Sequence, residues 1–138
     1  MKYKFLEHTA DMKFVVHGKD LKAIFENSVL ALSEYISQGE KVENGVTKRF
    51  KIFGRDYEEL LYNFIDEIIY FLDAENFVPS NAKVKLEKKN DKVELRAIVF
   101  GDHAKNYKNL ESAKSATYSE MYIKKKMGKW EAQVVVDI

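Results

Sequence analysis

Two aspartates stand where the chain could use them for chemistry. Asp11 closes the run His8-Thr9-Ala10-Asp11 immediately before an alternating apolar segment, and Asp137 sits at the end of another such segment, next to Ile138. If the fold brings these strand-end carboxylates and the terminal carboxyl group together, they repel one another unless a cation lies between them. Oxygen donors of this kind suit calcium, magnesium or manganese better than zinc. An aspartate at a strand end is also an ordinary solvated surface residue, and spacing alone leaves both readings open. No Gly-rich phosphate loop, nucleophile elbow or His-Glu-x-x-His pattern occurs. The histidines, His8, His17 and His103, are too scattered for a typical zinc site.

The other residues with chemical potential are cationic. Lys124, Lys125 and Lys126 precede a hairpin turn, and Lys83, Lys85, Lys88, Lys89 and Lys92 line the outer side of another hairpin. Lysines so placed protect solvent-facing strands and sheet edges, or they contact RNA. His103 falls in an irregular segment, residues 101–113, whose length fits a functional loop or a mobile one.

These residues need elements to hold them, and the apolar periodicity supplies the elements. Residues 12–17 alternate as a strand with Phe14 and Val16 on one face, and Gly18 ends it. Asp20 is placed to cap a helix carrying Leu21, Ile24, Phe25, Leu32, Tyr35 and Ile36 at helical spacing. Residues 46–53 alternate as a second strand. Asp56 with Glu59 predicts a capping box that opens a helix bearing Leu60, Leu61, Phe64, Ile65, Ile68, Ile69, Phe71 and Leu72. That stripe is too wide for one partner, so this helix is expected to be central and packed on more than one side. Pro79-Ser80-Asn81 marks its exit, residues 82–100 read as a hairpin about Asn90-Asp91, and residues 114–125 and 130–138 form a further pair of strands joined near Met127-Gly128. About six mostly antiparallel strands with two main helices make an α+β architecture. No repeat or linker divides the chain, so residues 1–138 are expected to form a single domain.

Composition narrows the function classes. The 138 residues are 46% hydrophobic and 33% charged, enough to bury a core and too apolar for a disordered chain. A net charge of +1 argues against a protein whose main work is neutralising many phosphates, although a local basic patch is compatible with it. Absence of cysteine excludes disulfides, thiolate metal sites and cysteine nucleophiles. The first residues meet charge at once, and the apolar stretch from Ile65 to Leu72 is broken by Asp66 and Glu67, so neither a signal peptide nor a membrane span is expected.

The opening Tyr3-Lys4-Phe5-Leu6-Glu7-His8-Thr9-Ala10-Asp11 resembles the first signature of the archease family. The likeness continues through Gly18-Lys19-Asp20-Leu21, the helix from Leu60-Leu61 to Ile69-Tyr70, the stretch from Lys114 to Tyr118, and the ending from Trp130-Glu131-Ala132 to Val136-Asp137-Ile138. The resemblance implies a chaperone-like protein that is not an enzyme, and the expected lack of a signal peptide and membrane span adds a cytoplasmic location. It implies that the partner is an RtcB-type RNA ligase of tRNA splicing, whose guanylylation and multiple turnover the protein promotes, with tRNA touched only indirectly or weakly. It also implies a divalent metal ion held by Asp11, Asp137 and Ile138, calcium being the first choice and magnesium or manganese the alternatives. Two departures stand out: Met12-Lys13 follows the first motif where many members have a small or aliphatic pair, and Ser119 follows Thr117-Tyr118 where many have histidine. Neither removes a proposed ligand. Against the resemblance stand two other classes, an RNA-binding module acting through its lysine-rich strands and a small metal-dependent hydrolase. The latter lacks an evident general base or nucleophile beside Asp11 and Asp137.

Overall fold

Both helices form where short polar side chains can start them and a left-handed residue can stop them. In the computed structural model, which describes residues 1–7 and 11–138, α1 (Leu21–Ser37) begins at Asp20, whose carboxylate accepts the Ala23 N–H at 2.8 Å. It ends at Gln38 with φ 55°. The second helix, α2 (Tyr57–Glu75), begins at Asp56, which accepts the Glu59 N–H at 2.8 Å, and stops at Asn76 with φ 52°. The expected capping box is displaced by one residue. Glu59 reaches past Asp56 and accepts the Arg55 N–H at 2.8 Å, because the Arg55 guanidinium holds the same carboxylate.

The strands build two antiparallel sheets. One contains β1 (Tyr3–Leu6), β2 (Asp11–Gly18), β6 (Ser115–Ala116), β7 (Tyr122–Lys126) and β8 (Lys129–Asp137); β8 pairs with β2 on one side and with both β6 and β7 on the other. The other has the order β3 (Val46–Gly54), β5 (Lys92–His103), β4 (Phe77–Lys89). Both helices lie between the sheets: α1 packs on β1, β2 and β8 and on β4, while α2 packs on β3, β4 and β5 and on β6 and β7. A single α+β core results, with Phe14, Phe25, Phe64 and Phe77 fully buried. The broad stripe of α2 is explained by its contact with both sheets, a position that α1 shares.

Several elements differ from the periodicity reading. Among the described residues there are eight strands where about six were expected. Strand β1 carries too little pattern to be predicted because it is short and only half-buried, an edge strand with one neighbour. Pro79 does not end the helix. It lies inside β4, where a register shift between Pro79 and Asn81 and an edge position let a residue without an N–H be accommodated. The strand expected over 114–125 is broken near Glu120, which has φ 52°, so that two short strands pair with β8 in place of one. Residues 101–103 belong to β5 and pair with β4, and Ala104–Asn106 form a 3₁₀ turn, so the irregular segment is shorter than expected.

Candidate functional site

The register of β2 against β8 decides the position of the two aspartates. Asp11 opens β2 and Asp137 closes β8, and the two are direct partners across the ladder. Side chains at such positions point to the same face with Cβ atoms roughly 5 Å apart. Asp137 is also the register partner of Ser115 in β6, whose hydroxyl lies 3.4 Å from Oδ2 of Asp137, and the Asp137 carbonyl accepts the Lys114 N–H at 2.8 Å. Asp137 is exposed and Asp11 half-buried, beside a cleft lined by Phe5, Leu6, Glu7, Lys13 and Tyr35. Ile138 follows Asp137 directly and rests its side chain against the core. The structure therefore sets Asp11 opposite Asp137, and Ile138 adjoins the pair through its peptide bond to Asp137. His8, the other polar residue of the first motif, lies outside the described residues.

Two facing carboxylates are a set of hard oxygen donors, and their mutual repulsion favours a cation in their company. Among the described residues no group of three or more histidine, aspartate or glutamate side chains is placed to share a metal ion. A third ligand from the described residues would thus have to be a hydroxyl, a backbone oxygen or a carboxyl oxygen of Ile138. Lys13, two residues along β2 on the same face as Asp11, is engaged elsewhere: its Nζ lies 3.1 Å from Glu120 Oε1.

The surrounding scaffold contains residues that periodicity did not single out. Asp66 of α2 accepts the Ala116 N–H at 2.9 Å, which ties β6 to the helix, and Thr117 donates its hydroxyl to the Val135 carbonyl at 2.7 Å. The signal for Asp66 was present in the sequence as a charge interrupting an apolar helix face. Tyr118 stacks on Tyr62, with centroids 4.2 Å apart and planes 10° from parallel.

Farther along the same sheet face, Glu131 gathers Tyr122 Oη at 2.6 Å, His17 Nε2 at 3.1 Å and Lys124 Nζ at 3.8 Å. The Tyr122 hydroxyl, then His17 and Lys124, hold the Glu131 carboxyl below its usual range. Burial and the same hydrogen bond push Tyr122 up to about 12. His103 proves to be part of an anchor. Asp102 accepts the Tyr107 hydroxyl at 2.8 Å, the His103 N–H at 2.8 Å and Asn106 Nδ2 at 3.1 Å, which together depress its pKa, while Tyr107 Oη accepts the Glu43 N–H at 2.8 Å. No described helix is long and apolar enough to cross a membrane.

Comparison with known proteins follows the whole chain. The model of the archease protein family (MTH1598/TM1083) matches residues 3–138. The protein archease of Pyrococcus furiosus is 36% identical over 139 residues, covering 99% of this chain and 98% of the relative, and that of Methanosarcina mazei is 31% identical over 140 residues, covering 99% and 96%. Among solved structures, the solution structure of Methanobacterium thermoautotrophicum protein 1598 superposes with a TM-score of 0.86 at 30% identity and 99% coverage of both chains. A Thermotoga maritima archease, described as a possible chaperone, shares the fold with a TM-score of 0.62 at 16% identity, covering 98% of this chain and 96% of that one.

Proposed function

The chain belongs to the archease family, and from that premise we propose that it is a non-catalytic cytoplasmic partner of an RtcB-type RNA ligase, promoting the ligase's guanylylation and repeated turnover. The observation that carries this reading is the direct register pairing of Asp11 with Asp137 at one end of the five-stranded sheet. Asp11, Asp137 and an oxygen of Ile138 would hold one divalent cation, calcium by preference, with magnesium or manganese as alternatives. That ion would supply positive charge beside the two facing carboxylates. The protein's own contribution is to fix the two carboxylates on rigid strands, with β6 aligned beside Asp137 through the Lys114 N–H and the Ser115 hydroxyl, and α2 steadying β6 through Asp66.

Calorimetric titration of calcium, magnesium and manganese into the parent protein and into Asp11→Asn and Asp137→Asn tests the ligand assignment. Binding by the parent and loss of binding in both variants is expected. Equal binding by all three proteins contradicts it. The hydrolase reading gains no specific support from the geometry: the Ser115 hydroxyl beside the pair is turned to Asp137 Oδ2.

A further inference from the structure

We infer that the open face of the three-stranded sheet binds single-stranded RNA. Register fixes which side chains share that face. One cross-strand row is Arg49–Ile98–Lys83 and the next is Lys51–Arg96–Lys85. All five cations are exposed, and they line one shallow groove together with Ile98, Lys22 and Glu26, whose carboxylate accepts the Val84 N–H at 2.9 Å. With strands about 4.8 Å apart and two residues rising about 7 Å, these five backbone positions fall within roughly 10 by 7 Å. Only Arg96 has a carboxylate partner, Glu94 at 3.2 Å; Arg49, Lys51, Lys83 and Lys85 have none within ion-pair distance among the described residues.

Solubility does not require this arrangement. A solvent-facing sheet is kept soluble by mixed charge, and like charges placed directly opposite one another destabilise a strand pair. Here the central row places Lys51, Arg96 and Lys85 side by side, in a chain whose net charge is only +1. The sequence thus concentrates cations at one place against a local cost. Closely spaced, mostly unpaired cations on a shallow surface complement a phosphate backbone.

The aromatic residues indicate a single strand. Phe100 lies on the same face one row beyond Arg49–Ile98–Lys83, and Phe53, 37% exposed with the Lys92 ammonium 4.3 Å from its ring centroid, lies one row beyond Lys51–Arg96–Lys85, in a row it shares with Glu94 and Glu87. The cationic rows are therefore bracketed by rings at both ends, a pattern that combines phosphate contacts with surfaces on which unpaired bases stack. That the strand is RNA rests on the proposed role beside an RNA ligase. That it is a single-stranded polyanion rests on the face alone.

Fluorescence anisotropy with labelled 12-nucleotide single strands of RNA and of DNA, titrated from 50 to 200 mM salt, tests the inference on the full-length parent and on Lys51→Gln/Lys83→Gln/Lys85→Gln. The parent is expected to bind the RNA strand more tightly than the DNA strand. The triple variant should bind the RNA on the order of tenfold or more weakly at low salt, with the slope of log affinity against log salt shallower by about 2. Its melting temperature should not fall, since the substitutions relieve repulsion. Asp11→Asn should bind RNA like the parent, so that loss of ligase activation and loss of RNA binding report on separate sites. No RNA binding by the parent, equal binding by parent and triple variant, or DNA bound as tightly as RNA overturns the inference. So does a triple variant that keeps its RNA affinity and loses affinity for the ligase, which would assign an acidic protein surface to this face.

Discussion

On the proposed metal-site reading, Asp137 would be costly in the metal-free protein and necessary in the loaded one. It faces another carboxylate across the ladder, so Asp137→Asn is expected to melt at or above the parent in chelator. Calcium at a hundred times its dissociation constant should stabilise the parent by about 2.7 kcal/mol and leave the variant unchanged; thermal melts with and without calcium check both halves. Tyr122 gives a second expectation at this scale. Its folded pKa is raised from 10.0 to about 12, so the stabilisation linked to its proton is complete below pH 10 and is lost as pH rises towards 12. Tyr122→Phe should cost about 1.5 kcal/mol at neutral pH, as loss of a hydrogen bond to a charged acceptor. Urea unfolding from pH 7 to 12 should show the difference between parent and variant shrinking above pH 10. The aspartates could be noticed in the sequence because each stands at the end of an apolar alternation. The Tyr122, Glu131, His17 and Lys124 cluster could not, since only strand register brings β2, β7 and β8 residues to one place.

At the scale of elements, helix α2 is the clearest case of sequence dictating packing. Its apolar positions fill more of the circumference than one sheet can cover, and two sheets cover it. Ile68, fully buried on that helix, should cost ~2 to 5 kcal/mol when replaced by alanine, read from urea unfolding. The close approach of β5 to β4 depends on Gly101, where an added Cβ would lie 2.1 Å from the Val78 carbonyl oxygen and 2.6 Å from the Phe77 ring. Gly101→Ala is accordingly expected to destabilise by about 3 kcal/mol or more, with the loss visible in the same unfolding experiment. Long periodic elements were legible: both helices, β2, β3 and the β4–β5 hairpin follow from alternation and capping residues. The short strands β1 and β6 were not, because four and two residues carry too little pattern to distinguish a strand from a loop. Strand β6 in addition depends on pairing with β8 across the intervening β7. The lysines of the β4–β5 hairpin divide in the same way. Lys83 and Lys85 share the open face, but Lys88 belongs to the opposite parity, and the Arg49, Lys51 and Arg96 that complete the basic rows emerge only once β3 is paired with β5.

The whole molecule is two helices held between two sheets, with its two notable surfaces on different sheets: the carboxylate pair at one end of the five-stranded sheet and the basic rows on the three-stranded one. This separation lets one surface be changed without the other, and it lets the central functional claim be tested cleanly. The direct measurement is the rate and extent of guanylylation and the number of turnovers of an RtcB-type ligase with the parent protein, with Asp137→Asn, and with no addition, each at saturating divalent ion. The account expects the parent to accelerate guanylylation and permit many turnovers, the variant to match the ligase alone, and the parent without ligase to join no RNA. A parent that leaves the ligase unchanged, or an Asp137→Asn protein that activates it as well as the parent does, would contradict the account.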